Sequence, residues 1–300
     1  MVQALLRASL TLRGDVFAEV QARKVDFGII PVENSSNGTV DMTLDGLADP
    51  YHESTTISVR DETELPIHHC LLGKKFPDQK DEQESIPPNH NALGSDTLEA
   101  APAEQALKWG GITDVYSHPQ ALGQCQKFLA THLKHAKLHE SPSTSEAALI
   151  VSKLATPTAA AIASKMAGQT FGLDILSSQI QDGKDNFTRF LILANAVGSP
   201  QIRSPPTESL KSLVSFRVKH KEPGALADAL SVFKTHSVNL VSINSRPSRD
   251  EPWHYIFIVE IVAVGTAGEA EHASSQAIND LTSKTHRLRQ LGSWWLKSNA

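Results

Sequence analysis

The chain has 300 residues, of which 40% are hydrophobic and 20% are charged, and its formal net charge is -5. The length suggests two domains of roughly 150 residues each, and the composition is that of a globular protein rather than a disordered or repetitive one. The net negative charge argues against nucleic acid or an anionic membrane as a partner, because either would select a basic surface.

Cysteine usage and hydropathy restrict the chain further. Cys70 and Cys125 are the two cysteines, too few for a disulfide framework and without the paired spacing of a zinc site, so we expect reduced thiols and no metal. No apolar run reaches the roughly 20 residues of a membrane span. Residues 1–12 lack a secretion signal with a cleavage site. We therefore expect a cytoplasmic location, and we favour it over the alternative that residues 1–12 are a presequence.

The first half of the chain alternates helical and strand patterns. Val16, Phe17 and Val20 fit one face of a helix, and residues 27–30 form an apolar run typical of a buried strand. Such alternation predicts an α/β fold with parallel strands. The later predicted elements are a surface loop over 74–90, a helix over 98–109, a strand over 113–116 and a helix over 120–133.

Two further helix starts are predicted from capping residues. Ser143 and Glu146 have the spacing of a capping box, in which each side chain satisfies a backbone amide at the start of the helix. Thr156 followed by Pro157 predicts a second helix, which Gly168 would end.

Residues 197–206 carry one glycine and three prolines that interrupt the periodicity, which predicts a domain boundary. Beyond it the pattern is strand, helix, two strands, helix and a short last strand near Leu288, a ferredoxin-like βαββαβ order. We therefore expect a first domain over 1–196, a linker over 197–209 and a second domain over 210–300.

Three polar segments lie beside predicted strands, where α/β proteins place ligand-binding loops. Residues 31–40 follow the first strand, residues 117–120 follow a later strand and open a helix, and residues 186–190 enter the strand 191–193. Each segment also has a purely structural interpretation. Residues 31–40 could be a solvent-exposed turn, His118 could cap the helix that follows it, and residues 186–190 could be the edge of a strand that enters the core. Taken singly, the three segments leave the choice open, including whether His118 is a base.

Together, these segments resemble the signatures of prephenate dehydratases. Residues 26–35, 117–122 with Gln124-Cys125, and 186–190 match in order and at family-like spacing, and residues 143–148 are similar to another block of the family. The resemblance implies an α/β two-lobed, periplasmic-binding-protein-like (type II) catalytic domain with its site between the lobes. It also implies that the chain crosses between the lobes a second time near residues 171–176.

The resemblance implies conversion of prephenate to phenylpyruvate with loss of carbon dioxide and water, without a metal or organic cofactor. Thr188 would donate a hydrogen bond from its hydroxyl to the leaving group. Arg189 would pair with a substrate carboxylate or lock the cleft. The implied catalytic residues are Thr188, Glu33, Asn34, Ser117 and Gln124. The implied substrate-binding residues are Ser35, His118, Thr144, Arg189 and Phe190, the last forming an apolar wall with Phe187.

In the second domain, two segments resemble the phenylalanine-sensing motifs of ACT domains, which have the α+β ferredoxin-like fold. The implied effector-binding residues are Gly224, Ala225, Leu226, Asn244, Ser245, Arg246 and Pro247. Asn244 stands where the family usually has glutamate. The resemblance implies L-phenylalanine as allosteric effector and a homodimer or homotetramer formed through the ACT domains.

One departure bears on activity. Family members begin with a strand and a Gly-Pro-x-Gly-Thr-Phe-type loop, which are not found in this sequence, so a shortened catalytic domain is expected. Two alternatives to prephenate dehydratase therefore stay open: arogenate as the substrate, and a catalytically incomplete phenylalanine-sensing protein.

Overall fold

The structure is a computed structural model that describes residues 13–48, 56–74, 109–183, 185–197 and 207–297. The chain forms two compact units, one from Met1–Leu65 and Phe187–Ala300 and the other from Pro66–Asn186. The predicted return of the chain near residues 171–176 is wrong, because Asp174–Ser177 pairs with Cys70–Gly73 inside the second unit's sheet. The chain rejoins the first unit only after Asn186.

Both helices and strands occur throughout the described part of the chain. The helices are α1 (Arg13–Gln21), α2 (Asp41–Ala48), α3 (Pro119–Gly123), α4 (Gln126–His132), α5 (Thr144–Lys153), α6 (Lys165–Phe171), α7 (Ala225–Thr235) and α8 (Ala267–Lys284). The strands are β1 (Phe27–Asn34), β2 (Gly38–Thr39), β3 (Ile57–Pro66), β4 (Cys70–Gly73), β5 (Asp114–Ser117), β6 (Lys137–Glu140), β7 (Ala159–Ala163), β8 (Asp174–Ser177), β9 (Phe187–Asn195), β10 (Ser209–Arg217), β11 (Asn239–Pro247), β12 (Tyr255–Val264) and β13 (His286–Trp295).

The first unit contains an eight-stranded sheet in the order β11-β12-β10-β13-β3-β9-β1-β2. Its first four strands, with α7 and α8, form the predicted βαββαβ segment, and β13 is longer than the short strand expected near Leu288. This segment meets the rest of the sheet where Gly292 pairs with Val59. A Cβ atom at Gly292 would lie 2.0 Å from the Val59 carbonyl oxygen, so only glycine allows β13 to approach β3 this closely.

The second unit contains a five-stranded sheet in the order β6-β5-β7-β4-β8. The strand β5 is parallel to both β6 and β7, whereas β4 is antiparallel to β7 and β8. The prediction of parallel strands is therefore correct for only part of the sheet. All five residues of β7 are buried, and small alanine side chains there let α5 pack closely on the sheet.

Several predicted elements differ from the structure. The prediction of a helix from Thr156 to Gly168 is wrong. The apolar run before Ser164 forms the buried strand β7, and the helix α6 begins after Ser164. Ser164 Oγ caps α6 by accepting from Ala167 N, and Gly172 ends it with a φ of 66° that suits glycine. The single helix expected over 120–133 is two helices, α3 and α4, separated at Gln124 and Cys125.

Other predicted elements agree with the structure or lie outside it. The helix α1 and the strand β1 are confirmed, and Ser143 caps α5 by accepting from Glu146 N at 3.0 Å. The predicted helix over 98–109 and the predicted loop over 74–90 fall almost entirely outside the described residues.

Candidate active site

The register of β1 and β9 brings two distant sequence segments side by side. Asn34 is the Cα partner of Thr188 and Glu33 is the partner of Arg189, after an irregularity in the pairing between Pro31 and Glu33. This antiparallel pairing places the polar end of β1 directly against the polar start of β9.

Asn34 donates a hydrogen bond from Nδ2 to Thr188 Oγ1 at 3.0 Å. The same nitrogen donates to the Phe187 carbonyl at 3.0 Å. The Asn34 carboxamide oxygen accepts from the backbone of Ser36 and Asn37 at 3.1 Å each, and from Asn37 Nδ2 at 3.0 Å. The turn therefore holds the amide oxygen, and the nitrogen faces the Thr188 hydroxyl.

Ser35 fixes the start of β9 through two hydrogen bonds to one residue. Its backbone N–H donates to the Phe187 carbonyl at 2.9 Å, and its Oγ accepts from Phe187 N at 3.0 Å. The Phe187 side chain is 39% exposed, and the half-buried Phe190 pairs with Pro31. Ser35 thus acts on the backbone that carries Thr188.

Arg189 lies in a network of five charged side chains, which we call the Arg189 network. Its guanidinium donates to Glu33 at 2.8 Å, to Glu62 at 3.1 Å, and to both oxygens of Glu260 at 2.7 and 2.9 Å. Lys211 Nζ donates to Glu62 at 2.7 Å. Glu260 and Lys211 belong to β12 and β10, so the network joins the βαββαβ segment to β1, β3 and β9.

The Arg189 network changes the interpretation of Arg189. Burial alone would lower the pKa of its guanidinium, but hydrogen bonds and charges from Glu260, Glu33 and Glu62 outweigh burial and raise that pKa. Because the guanidinium is already paired with three carboxylates, the expected pairing with a substrate carboxylate is not supported. The geometry favours the alternative in which Arg189 locks β9 in place.

The sequence predictions had not included Glu62, Lys211 or Glu260. The sequence does carry a signal for two of them, since Lys211 and Glu260 are isolated charges in otherwise apolar strands. Such charges are rarely buried without a charged partner, so an ion pair could have been predicted.

In the second unit, Ser117 at the end of β5 is fully buried. Its hydroxyl donates to the Ile162 carbonyl at 2.6 Å, across the β5–β7 pair. Since the hydroxyl proton is already used inside the sheet, the geometry favours a structural role for Ser117 over the expected contact with substrate.

His118 and Thr144 stand at helix starts. His118 is the N-cap residue of α3, and its Nδ1 accepts from Gln120 N at 3.2 Å, which favours the cap interpretation over a general base. Thr144 is the half-buried first residue of α5, directly after the Ser143 cap.

Gln124 is held at both its backbone and its side chain. Asp182 N donates to the Gln124 carbonyl at 2.7 Å, and His69 Nε2 lies 2.7 Å from Gln124 Oε1. His69 is 7% exposed, and burial lowers the pKa of its imidazole more than the Gln124 bond raises it, with the His68 charge lowering it further. Sequence inspection had not singled out His69, since one histidine before a strand carries no specific signal.

Cys70 and Cys125 are both buried thiols. Burial and the nearby Asp182 charge raise the pKa of the Cys125 thiol to about 12, so it is an inert core residue. Among the residues that the structure describes, no cluster of three or more His, Cys, Asp or Glu side chains is arranged to hold a metal ion. Within those same ranges, no helix has the length and apolar character needed to span a bilayer.

The βαββαβ segment contains a cavity of about 280 Å³. Its lining residues are Val218, Lys219, His220, Glu222, Gly224, Ala225, Leu226, Ala227, Tyr255 and Phe257. Gly224, Ala225 and Leu226, which are adjacent in the sequence, all line this cavity. Asn244, Ser245, Arg246 and Pro247 lie instead on the edge strand β11 and do not line the cavity.

Arg246 of β11 is paired with α2, which belongs to the same unit. Its Nε donates to Asp45 at 2.6 Å, and its Nη1 lies 3.2 Å from Asp41. The bond to Asp45 outweighs burial and raises the pKa of the Arg246 guanidinium, together with the charges of both aspartates. This pairing occupies a side chain that was expected to bind the effector.

Comparison with known proteins decides the family. The model of the prephenate dehydratase family matches residues 8–197, and that of the ACT domain matches residues 212–271. The chain belongs to the prephenate dehydratase family. The first of these matches covers more than half of the chain, and the second lies within the βαββαβ segment.

Curated relatives agree with this family. The chain is 35% identical over 280 residues to the bifunctional chorismate mutase/prephenate dehydratase of Aquifex aeolicus, covering 93% of this chain and 64% of that protein. It is 32% identical over 295 residues to the Pseudomonas aeruginosa protein of the same description, covering 97% of this chain and 67% of that one. The chain therefore spans about two thirds of the length of these relatives.

Two solved structures share the fold of this chain. The prephenate dehydratase of Arthrobacter aurescens in complex with L-Phe superimposes with a TM-score of 0.73 at 24% identity, covering 97% of this chain and 85% of that one. The quorum quenching acylase GqqA superimposes with a TM-score of 0.71 at 21% identity, covering 96% of this chain and 88% of that one. At such identities the likeness shows the two-lobed fold with an ACT domain.

Proposed function

We propose that this chain is a prephenate dehydratase that converts prephenate to phenylpyruvate. The hydrogen bond from Asn34 to Thr188 Oγ1 carries the proposal, because it joins two family signatures at one hydroxyl. The proposal assigns residues 1–196 to the catalytic domain, 197–209 to a linker and 210–300 to an ACT regulatory domain.

The proposed reaction breaks two bonds of the substrate ring. The bond to the ring carboxylate breaks and its electron pair enters the ring, while the bond to the ring hydroxyl breaks and the departing oxygen takes a proton to become water. Aromatisation of the ring drives both losses. The protein must therefore donate a hydrogen bond to the departing oxygen and leave the ring carboxylate unpaired.

Thr188 is suited to donate that hydrogen bond. A threonine hydroxyl has one proton to donate, and its oxygen can accept another hydrogen bond at the same time. Because Asn34 donates to that oxygen at 3.0 Å, it stabilises the negative charge that develops on the oxygen as the proton is shared with the leaving group. Phe190, two residues after Thr188 on β9, supplies apolar surface on the same face of the strand as Thr188.

Regulation by L-phenylalanine and assembly are further parts of the proposal. Gly224, Ala225 and Leu226 line the cavity of the βαββαβ segment, which supports an amino-acid effector there. We propose a homodimer or homotetramer formed through the ACT domains, and a cytoplasmic location, from the resemblance and the ordinary globular composition.

The decisive experiment measures phenylpyruvate formation by the purified chain. Thr188→Val, which removes the hydroxyl at similar volume, is expected to lower kcat by about 100-fold or more, whereas Thr188→Ser, which keeps the hydroxyl, is expected to retain most of the activity. Thr170→Val is a matched control, because Thr170 is exposed on α6 and donates only to Met166 O of its own helix.

Each outcome has a clear meaning. Near-normal turnover by Thr188→Val, with its fold intact by circular dichroism, would remove Thr188 from the reaction. Absence of turnover by the unmodified chain on prephenate, with turnover on arogenate, would reassign the substrate. Absence of turnover on both, with L-phenylalanine still bound, would leave a phenylalanine-sensing protein.

A further inference from the structure

We infer that His69 is a positioning residue, which donates from Nε2 to Gln124 Oε1 and so makes Gln124 a hydrogen-bond donor to the substrate. The inference rests on the proposed dehydratase function, since it assigns a role to Gln124 in that reaction. Both residues lie in the second unit, where the two atoms are 2.7 Å apart.

The His69 ring is fixed by its surroundings. The side chain lies in the connection between β3 and β4 and is buried. Its backbone N–H donates to Gln181 Oε1 at 3.0 Å, and its carbonyl accepts from Ile180 N at 3.0 Å. The segment around residues 180–182 thus holds His69, and through Asp182 N at 2.7 Å it also holds the Gln124 backbone.

A glutamine side chain can present either end of its carboxamide. Rotation by half a turn exchanges the acceptor oxygen for the donor nitrogen, at almost no cost in shape. An imidazole N–H can only donate, so the bond from His69 Nε2 selects the orientation in which the Gln124 oxygen faces His69. The Gln124 NH₂ group, with its two donors, is then directed to another acceptor.

The substrate requires donors of this kind. Prephenate is a dianion, and a neutral amide donor binds a carboxylate or hydroxyl oxygen without adding a positive charge that would hold the departing carboxylate. Burial keeps the His69 imidazole neutral by lowering its pKa, so one ring nitrogen carries the proton, and the inference places that proton on Nε2, the nitrogen that faces Gln124 Oε1.

A double-mutant cycle tests the inference with prephenate as substrate. His69→Leu removes the donor and is expected to lower kcat/KM by about 10- to 100-fold, the range seen when an outer residue that orients a ligand is lost. His69→Gln, whose Nε2 reaches a similar position, is expected to recover most of the loss. The double variant His69→Leu with Gln124→Ala should be no worse than Gln124→Ala alone. His135→Leu is the control, because His135 is exposed in the same unit.

A second measurement does not depend on activity. The ¹⁵N shifts of the His69 ring in the unmodified chain are expected to show the proton on Nε2, and Gln124→Ala is expected to change them. A proton on Nδ1, or additive losses in the cycle, would overturn the role of His69. If the chain shows the Nε2 tautomer but neither binds nor dehydrates prephenate, the proposed function is refuted. The contact of Gln124 with the substrate is then refuted as well.

Discussion

Asn34 and Gln124 are both carboxamides whose oxygen is held by a neighbour. The backbone and side chain of the 34–37 turn bind the Asn34 oxygen, and His69 binds the Gln124 oxygen. In each case the nitrogen end is directed elsewhere, to Thr188 for Asn34. Fixing the acceptor end turns an ambiguous side chain into a donor of known direction, which is what stabilising a developing negative charge requires.

The buried His69 should also make stability depend on pH. Burial lowers the pKa of His69 in the folded chain, whereas the unfolded chain takes up the proton at the ordinary value of 6.5. The stabilising contribution is therefore complete above about pH 6.5 and is lost as the pH falls through the folded-state pKa. The free energy of unfolding should fall less between about pH 7.5 and about pH 5.5 in His69→Gln than in the unmodified chain.

Urea unfolding at the two pH values measures this difference. His135→Gln, at an exposed position of the same unit, is expected to keep the pH dependence of the unmodified chain. Equal pH dependence in His69→Gln and the unmodified chain would show that His69 is not buried in its neutral form.

At the scale of elements, β9 carries a catalytic candidate and a structural anchor in adjacent positions. Successive side chains of a strand point to opposite faces, so Thr188 and Arg189 face different surroundings. Arg189 is 14% exposed and enters the Arg189 network, where Glu260 is 6% exposed. A charge this deeply buried is stable only while its partners remain.

Glu260→Ala tests the Arg189 network. Removing one partner of a buried ion pair leaves an uncompensated charge, and because Glu33 and Glu62 remain, the expected loss in free energy of unfolding is about 3 kcal/mol, at the low end of such effects. Urea unfolding measures it. Glu222→Ala is the matched control, since the Lys219–Glu222 pair is 54% and 58% exposed and contributes at most about 1 kcal/mol.

The Arg189 network also links stability to catalysis. Because Arg189 follows Thr188 directly on β9, Glu260→Ala is expected to lower kcat as well as stability. A variant as stable as Glu222→Ala would contradict the structural role that the geometry assigns to the network.

At the scale of the whole chain, the βαββαβ segment and the Thr188 strand belong to the same compact unit. The contacts that join them include Glu260 of β12 with Arg189 of β9, Lys211 of β10 with Glu62 of β3, and Arg246 of β11 with Asp45 of α2. A ligand that shifts β10, β11 or β12 therefore acts on elements bonded to β3, β9 and α2. This is the physical basis on which an effector in the segment's cavity can be coupled to Thr188.

L-phenylalanine is expected to bind this segment and to lower dehydratase activity. Leu226→Ala removes apolar surface from the cavity wall and should weaken binding by about 15- to 60-fold, as expected for the loss of two or three buried methyl or methylene groups at about 0.8 kcal/mol each. Calorimetric titration with L-phenylalanine measures the change. Val264→Ala is the control, because Val264 is an exposed apolar residue of the same segment. Unchanged affinity in Leu226→Ala would place the effector outside this cavity.

The amino-acid sequence by itself determined the elements with strong local signals. The strand β1, the Ser143 cap and the βαββαβ order follow from periodicity and capping chemistry within short windows, and the segments around Asn34, Gln124 and Thr188 followed from their match to a family. Local signals failed at β7, where an apolar, alanine-rich run suits a helix as well as a strand until burial between neighbouring strands decides.

Only the tertiary structure decided which side chains meet. Arg189 and Glu33 lie 156 residues apart in the sequence, and His69 and Gln124 lie 55 apart. Ser117 has the residue type and position of a substrate contact, yet its burial and its bond to Ile162 O favour a structural role. Hydrogen-bond partners of this kind depend on strand register and chain crossings, which no local pattern of residues specifies.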